Sequence, residues 1–345
     1  MNNNKHLLVI RLSAMGDVAM TVPVLKTLTD SYPELQITVL TKAFFKPIFS
    51  GLKNVQIHTV DVSGRHKGIL GLWKLYKELK VLHIDAVADL HNVLRSNILK
   101  LFFRLSGIPF VQIDKGRKDK KALTSLKNKD FKPLKTSHER YADVFKQLGY
   151  QLDLKMTQSL PKNALSEDTL RIVGTKSKKW LGIAPFATFT GKMYPLHLMK
   201  EVIQELNKNE KYRIFLFGGG PEEKNVLDVW DNQFQNCINI VGKLSFEDEL
   251  QLISNLDLMI SMDSGNGHLA SIYGVPTITL WGVTHPHAGF YPFGQDADNA
   301  ILADRNKYPL IPTSVYGNKA PKTYDKAMET IHPKDVINKI KELSD

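Results

Sequence analysis

A chain of 345 residues is too long for one ordinary domain and comfortable for two, and a hydrophobic share of 43% lets each half bury a core. One cysteine, Cys237, excludes a disulfide framework and any cysteine-rich metal site, and fits a reducing compartment. The 46 Lys and Arg against 35 Asp and Glu leave a formal charge of +11, which favours an anionic partner (nucleic acid, a phosphorylated substrate or an acidic membrane face) without choosing among them.

The opening MNNNKHLLVIRLSAMGD holds an apolar run at 7–10 that is too short for a signal-peptide core, and Arg11 interrupts it. No stretch approaches the roughly 20 apolar residues that cross a bilayer. The expectation is a soluble cytoplasmic protein, at most peripheral on a membrane. Short apolar runs then alternate with helical stretches, the pattern of parallel α/β architecture. Strands are predicted at 7–11, 36–40, 55–59, 86–89 and 110–113, with helices at 18–31 and 69–82 between them. The segment 115–135 differs: nine Lys and Arg stand against Asp119 and Asp130, with few apolar residues. It reads as a mobile basic loop. A helix follows over 138–148 and stops at Gly149.

A second α/β unit begins near Trp180, after a polar boundary at 161–179. Its strands are predicted at 180–184, 213–217, 238–241, 258–261 and 277–280. Its helices are predicted at 196–207, 222–230, 246–254 and 267–273. Pro333 suits a first helical turn, so 333–343 reads as a terminal helix that packs back on the first domain. The division is therefore 1–165, 178–325 and a final helix at 333–345.

Ligands of doubly wound folds bind at the carboxyl ends of the strands, so residues just after strands carry the functional expectation. Ser13-Ala14-Met15-Gly16-Asp17 follows the first strand. Gly16 allows close backbone approach, and helix amides attract anions. The residues leave two roles open for Asp17: a helix cap, or a general base that takes a proton from a sugar hydroxyl. Asp263-Ser264-Gly265-Asn266-Gly267-His268 follows the strand at 258–261. Small residues and the Ser264 hydroxyl make a diphosphate cradle, with His268 on the first turn of the next helix. The bland alternative is an aspartate cap with turn glycines. In the loop 185–195, Thr188 offers a hydroxyl and Lys192 a point charge for phosphate. Gly218-Gly219-Gly220-Pro221-Glu222-Glu223 lacks GxGxxG spacing, so it is a turn whose Glu222 can reach sugar hydroxyls. No Walker A, HExxH or GxSxG sequence occurs, and nothing calls for a metal or a cofactor.

Together these segments resemble the glycosyltransferase family of the lipopolysaccharide heptosyltransferases. LLVIRLSAMGDVAMTVPVLKTL is similar to that family's first strand, loop and helix, and Lys192-Met193-Tyr194-Pro195 to its donor loop. LSFEDELQLISNLDLMISMDSGNGHLASIYGVPTITLWG resembles its longest signature, and His138-Glu139-Arg140-Tyr141 a helix start. The resemblance runs from Lys5 to about Gly294. It implies an α/β GT-B fold, two Rossmann-like domains with parallel sheets facing across a central cleft. It also implies inverting, metal-independent transfer from ADP-heptose to a lipid-linked Kdo acceptor. The basic segment 115–135 suits such an acceptor, in transient contact with the inner face of the membrane, or is simply solvated. No recognition helix and no aromatics interleaved with the basic run support a nucleic-acid partner. Asp17 matches the catalytic base, and Ser13 belongs to its loop. Thr188, Lys192, Asp263, Ser264, Gly265 and His268 match donor-binding positions, and Glu222 or Glu223 the nucleoside contact. Ser264 stands where threonine is usual, Asn266-Gly267 replaces a bulkier pair, and Met193-Tyr194 replaces Arg-Trp. Another nucleotide-activated sugar, or an idle anion-binding protein, stays open.

Overall fold

A computed structural model describes residues 5–344. In chain order the strands are β1 (His6–Ile10), β2 (Gln36–Thr41), β3 (Val55–Thr59), β4 (Ala86–Asp89), β5 (Phe110–Gln112), β6 (Lys179–Ala184), β7 (Tyr212–Leu216), β8 (Cys237–Asn239), β9 (Leu258–Met262), β10 (Thr277–Trp281) and β11 (Ala300–Leu302). The α-helices are α1 (Met15–Ala19), α2 (Thr21–Ser31), α3 (Gly68–Lys80), α4 (Leu94–Leu105), α5 (Arg117–Leu123), α6 (Ser137–Gln147), α7 (Glu167–Val173), α8 (Leu196–Asn207), α9 (Gly220–Gln233), α10 (Phe246–Ser254), α11 (Gly265–Ile272) and α12 (Pro333–Ser344). They form two compact units. One runs to Lys115 and resumes over Ser137–Leu160; the other takes Gly116–Thr136 and the chain from Pro161 onward.

The first unit holds a five-stranded parallel sheet in the order β3-β2-β1-β4-β5. Crossover helices cover both faces of such a sheet, so its strands are continuous apolar runs. Leu7 to Ile10 of β1 are accordingly all buried. Ile10 pairs with Leu40 on one side and Asp89 on the other, which brings the ends of β1 and β4 to one level. The strand order reverses between these two, so their loops diverge there.

The single helix expected over 18–31 is two helices, α1 and α2. Pro23 is the cause: it has no N–H for the Ala19 carbonyl, and its ring crowds that carbonyl. One residue earlier, Thr21 Oγ1 donates to the Val18 carbonyl at 2.7 Å, a side-chain bond at the same break.

The second unit has a six-stranded parallel sheet ordered β11-β10-β9-β6-β7-β8, with its reversal between β6 and β9. Its core joins Met199, Val202 and Ile203 of α8, Leu227 and Trp230 of α9, and Val336 and Ile340 of α12. The terminal helix thus packs within this unit, where Tyr212 Oη and Ser344 Oγ also meet at 2.9 Å. β11, three residues long, and α7, inside the expected polar boundary, carry too few apolar positions to announce themselves. Ser166 Oγ caps α7 by accepting from the Thr169 N–H at 3.1 Å.

The segment 116–136 is not the free basic loop expected from its charge. It contains α5 and is tied down within the second unit. Lys129 Nζ donates to the carbonyls of Leu123 at 2.8 Å and Pro312 at 2.7 Å. Burial pushes this ammonium down to about 8. The Arg305 guanidinium lies 3.4 Å from the Phe131 ring centre, and Lys120 Nζ 4.2 Å from that of Phe290. Lysine stems serve as apolar surface once they lie on rings, which a count of charges does not register.

Candidate active site

At the carboxyl edge of the first sheet, β1 runs into Arg11, whose side chain turns back along the loop. Its Nη1 donates to the Leu90 carbonyl at 2.6 Å, and its Nη2 pairs with the carboxylate of Asp17. The Arg11 side chain is almost buried, whereas that of Asp17 keeps 31% of its surface open. The competing cap contact, from the Ala14 N–H to Asp17 Oδ2, stretches to 3.5 Å. Arg11 therefore holds this carboxylate more firmly than the helix end does, and aims it at solvent.

Ser13 meets His91 rather than Asp17, with Oγ and Nε2 3.5 Å apart. His91 Nδ1 accepts from the Leu12 N–H at 3.4 Å. Burial, with Arg11 and Lys115 nearby, pushes His91 down to about 3, so the ring is neutral. An accepting Nδ1 leaves the proton on Nε2, facing Ser13. Beneath it the buried Asp89 accepts from the N–H groups of His91 and Asn92, each at 2.9 Å, and from Gln112 Nε2 at 2.8 Å. Arg11, Asp89 and His91 were not candidates from sequence. The usable signal was position, since Asp89-Leu90-His91-Asn92 follows the strand that pairs with β1 at the reversal.

At the reversal of the second sheet, Ala184 of β6 stands level with Ser261 of β9, so the loops that follow both strands leave together. Lys192 Nζ pairs with Asp263 Oδ2 at 3.1 Å, both side chains largely buried. The lysine stem runs in a glycine-lined slot: a Cβ on Gly317 would sit 2.3 Å from Lys192 Cγ, and one on Gly191 would meet Val283 and the Gly317 carbonyl. Gly317 also has φ of +81°, open to glycine at little cost.

Ser264 occupies the cap position of α11 but makes no cap bond there. Its Oγ is buried without a hydrogen-bond partner among the described residues. A buried hydroxyl at a helix amino end, one residue after an aspartate that holds a lysine, is an acceptor and donor set that an anion completes. Gly265 is the first helical residue, and Gly267 lies inside the helix rather than in a turn. Gly267 is a packing glycine: a Cβ there would lie 2.7 Å from Ser261 Oγ. His268 is buried one residue further on. Thr188 is exposed in the β6 loop, and the neighbouring Tyr194 is a core residue whose Oη donates to the Ile331 carbonyl at 2.8 Å.

After β7, Glu223 Oε2 accepts from the Gly219 N–H at 2.7 Å and so closes its own loop. Glu222 is exposed beside it. Among the described residues, no three His, Cys, Asp or Glu side chains group so as to hold a metal ion, and no helix is long and apolar enough to cross a membrane.

Two parallel sheets, each with polar side chains gathered where its strand order reverses, are the architecture of the GT-B fold. The profile of Glycosyltransferase family 9 (heptosyltransferase) matches residues 72–317, and the chain belongs to that family. It is 25% identical over 290 residues to the lipopolysaccharide core heptosyltransferase OpsX of Haemophilus influenzae, covering 82% of this chain and 80% of that one. The crystal structure of a family 9 glycosyltransferase from Veillonella parvula superposes with a TM-score of 0.75 at 20% identity, over 100% of this chain and 98% of that one. The E. coli heptosyltransferase WaaC with ADP-2-deoxy-2-fluoro heptose superposes at 0.67 and 21% identity, over 98% and 99%.

Proposed function

We propose that the chain transfers a heptose from ADP-heptose to a lipid-linked Kdo acceptor of the lipopolysaccharide inner core, on the cytoplasmic side of the membrane, with inversion and without a metal ion. The observation that carries this reading is the Ser264 hydroxyl at the amino end of α11, which has no hydrogen-bond partner among the described residues and follows Asp263, the partner of Lys192. That set suits the diphosphate of a nucleotide sugar. Ser264 Oγ and the amides of Gly265 and its neighbours hydrogen-bond one phosphate, while Lys192 and Thr188 reach the other. Asp263 keeps the Lys192 ammonium in place, His268 supports the same turn, and Glu222 takes the ribose hydroxyls.

In the transfer step, Asp17 accepts the proton of the acceptor hydroxyl as its oxygen bonds to the anomeric carbon. The bond from that carbon to the diphosphate oxygen breaks, and ADP leaves with the electron pair. The charge that grows on ADP is the larger electrostatic demand, met by Lys192 and the helix amides in place of a metal. Ser13 and neutral His91 hold the β1 loop that carries Asp17.

The test is incubation with ADP-heptose and a Kdo-lipid acceptor, followed by mass spectrometry. One heptose added per acceptor supports the reading. Thermal shifts with ADP-, UDP- and GDP-sugars fix the nucleotide, because a ligand that binds only the folded form raises its stability. Stabilisation by a UDP- or GDP-sugar alone would overturn the donor assignment.

A further inference from the structure

Helices α3 and α4 of the first unit lie side by side, joined where the Trp73 ring meets Phe102 edge-on at 5.0 Å. Their inner faces are in the core: Leu72, Leu75 and Leu79 of α3, Leu99 and Phe103 of α4. Their outer faces are apolar as well. On α3, Leu70 is 84% exposed and Trp73 42%, with Ile69 beside them. On α4, Leu94, Leu101 and Leu105 are exposed, and with the half-buried Ile98 they recur at i, i+4, i+7 and i+11. That spacing puts them in one stripe along the helix. A helix apolar on two opposite faces has a second partner to cover.

The charges around this patch say what covers it. Exposed Lys67, Lys74, Lys77 and Lys80 flank the α3 side, and Arg95 and Arg104 the α4 side. The one carboxylate in the two helices, Glu78, is already held by Arg65 and His66. A second copy of this chain would set these cations against themselves in a two-fold interface. An anionic bilayer surface accepts both features: leucines and tryptophan at the acyl boundary, lysines and arginines at the headgroup phosphates.

We infer that the outer face of α3 and α4 docks on the surface of an anionic lipid bilayer. The inference deepens the reading of a lipid-linked acceptor and rests on it. Leu94, where the stripe starts, is three residues from His91, so a docked bilayer presents lipid-borne sugars to the edge that carries Asp17.

The test is co-sedimentation of the full chain with phosphatidylglycerol/phosphatidylethanolamine vesicles and with phosphatidylcholine vesicles, at low and high salt. Binding to the anionic vesicles alone, weakened by salt, is expected. The double variants L101E/L105E and K74E/K77E should each weaken it about tenfold or more while keeping the wild-type circular dichroism spectrum. Trp180, Trp230 and Trp281 are buried, so a blue shift of emission on vesicle addition should come from Trp73 and vanish in Trp73→Phe. Transfer to a delipidated, water-soluble acceptor should be unchanged in all of these variants. Absence of vesicle binding, or binding unaffected by both double variants, overturns the inference. So does a dimer in sedimentation velocity that L101E/L105E dissolves, which assigns the face to a second copy. Vesicle binding by a wild-type chain that transfers sugar to neither acceptor keeps the docking face and removes the transferase reading.

Discussion

Arg11 and Asp17 form an ion pair in which the buried member positions the half-buried one: the guanidinium is pinned by the Leu90 carbonyl, and the carboxylate keeps an open side. This division of labour suits a base that must be fixed in direction and open to a sugar hydroxyl.

Asp17→Asn keeps the size of the side chain and removes its basicity. Turnover should fall by about 10²-fold or more, the usual contribution of a general base, while ADP still raises the thermal midpoint as in the wild type. Arg11→Lys keeps the charge but not the paired planar geometry, so it should lower kcat with little change in the KM for donor. Wild-type turnover in Asp17→Asn, measured by release of ADP, would remove Asp17 from the chemistry.

Donor binding should fail from three places that converge on one anion. Ser264→Ala removes a hydroxyl without a hydrogen-bond partner among the described residues, so stability should hold while ADP affinity falls about 5- to 10-fold, as for loss of one hydrogen bond to a charged group. Lys192→Ala should cost more affinity, because it also leaves Asp263 buried without its cation. Gly317→Ala lies far away in sequence but places a methyl against the lysine stem, so it should mimic Lys192→Ala in part. Calorimetric titration of ADP compares the three, and an unchanged affinity in Ser264→Ala would argue against the cradle.

Gly267 separates packing from chemistry in the same segment. Gly267→Ala drives a methyl to 2.7 Å from Ser261 Oγ, on a fully buried strand. The expected loss is about 1–3 kcal/mol in urea unfolding, the cost of overpacking a tight core. Adding Ser261→Ala should restore part of it, less the hydrogen bond from Ser261 Oγ to the Met262 carbonyl at 2.8 Å. No loss in Gly267→Ala would mean that α11 sits further from β9 than the geometry gives.

The strands that carry both reversal points were legible because buried parallel strands are unbroken apolar runs, as in LLVI of β1 and LMISM of β9. The loops after them inherited their candidates, Asp17 and Ser264 among them, from that placement. Arg11 and His91 were not legible, because a lone arginine or histidine has no spacing of its own. They gain meaning only when β4 is set beside β1, a pairing between segments 79 residues apart that no local pattern encodes. That Glu223 rather than Glu222 accepts from the Gly219 N–H is likewise invisible in a pair of adjacent glutamates. The segment 116–136 misled for a related reason: Lys120 and Lys129 look solvated until the rings and carbonyls that receive them are in place.

Acid should unfold this protein through its neutral histidines. Burial pushes both His91 and His285 down to about 3 from an ordinary value of 6.5, and each accepts a backbone N–H on Nδ1, from Leu12 at 3.4 Å and His287 at 3.1 Å. Between pH 6.5 and 3 the unfolded chain binds protons that the native state refuses. Their contribution is therefore whole above pH 6.5 and is lost as pH falls, at up to about 1.4 kcal/mol per pH unit for each histidine. Glu249 works against this trend: burial raises it to about 7 from 4.5, so its contribution is whole below pH 4.5 and is lost as pH rises toward 7. Comparison with a variant isolates one group from the others. His91→Gln keeps an acceptor for the Leu12 N–H but does not titrate, so its urea midpoint should fall less steeply than the wild type's from pH 6.5 downward. Parallel midpoint curves for the two proteins would mean that His91 is protonated in the native state or does not differ from the unfolded chain, and the neutral, loop-holding role given to it would be lost.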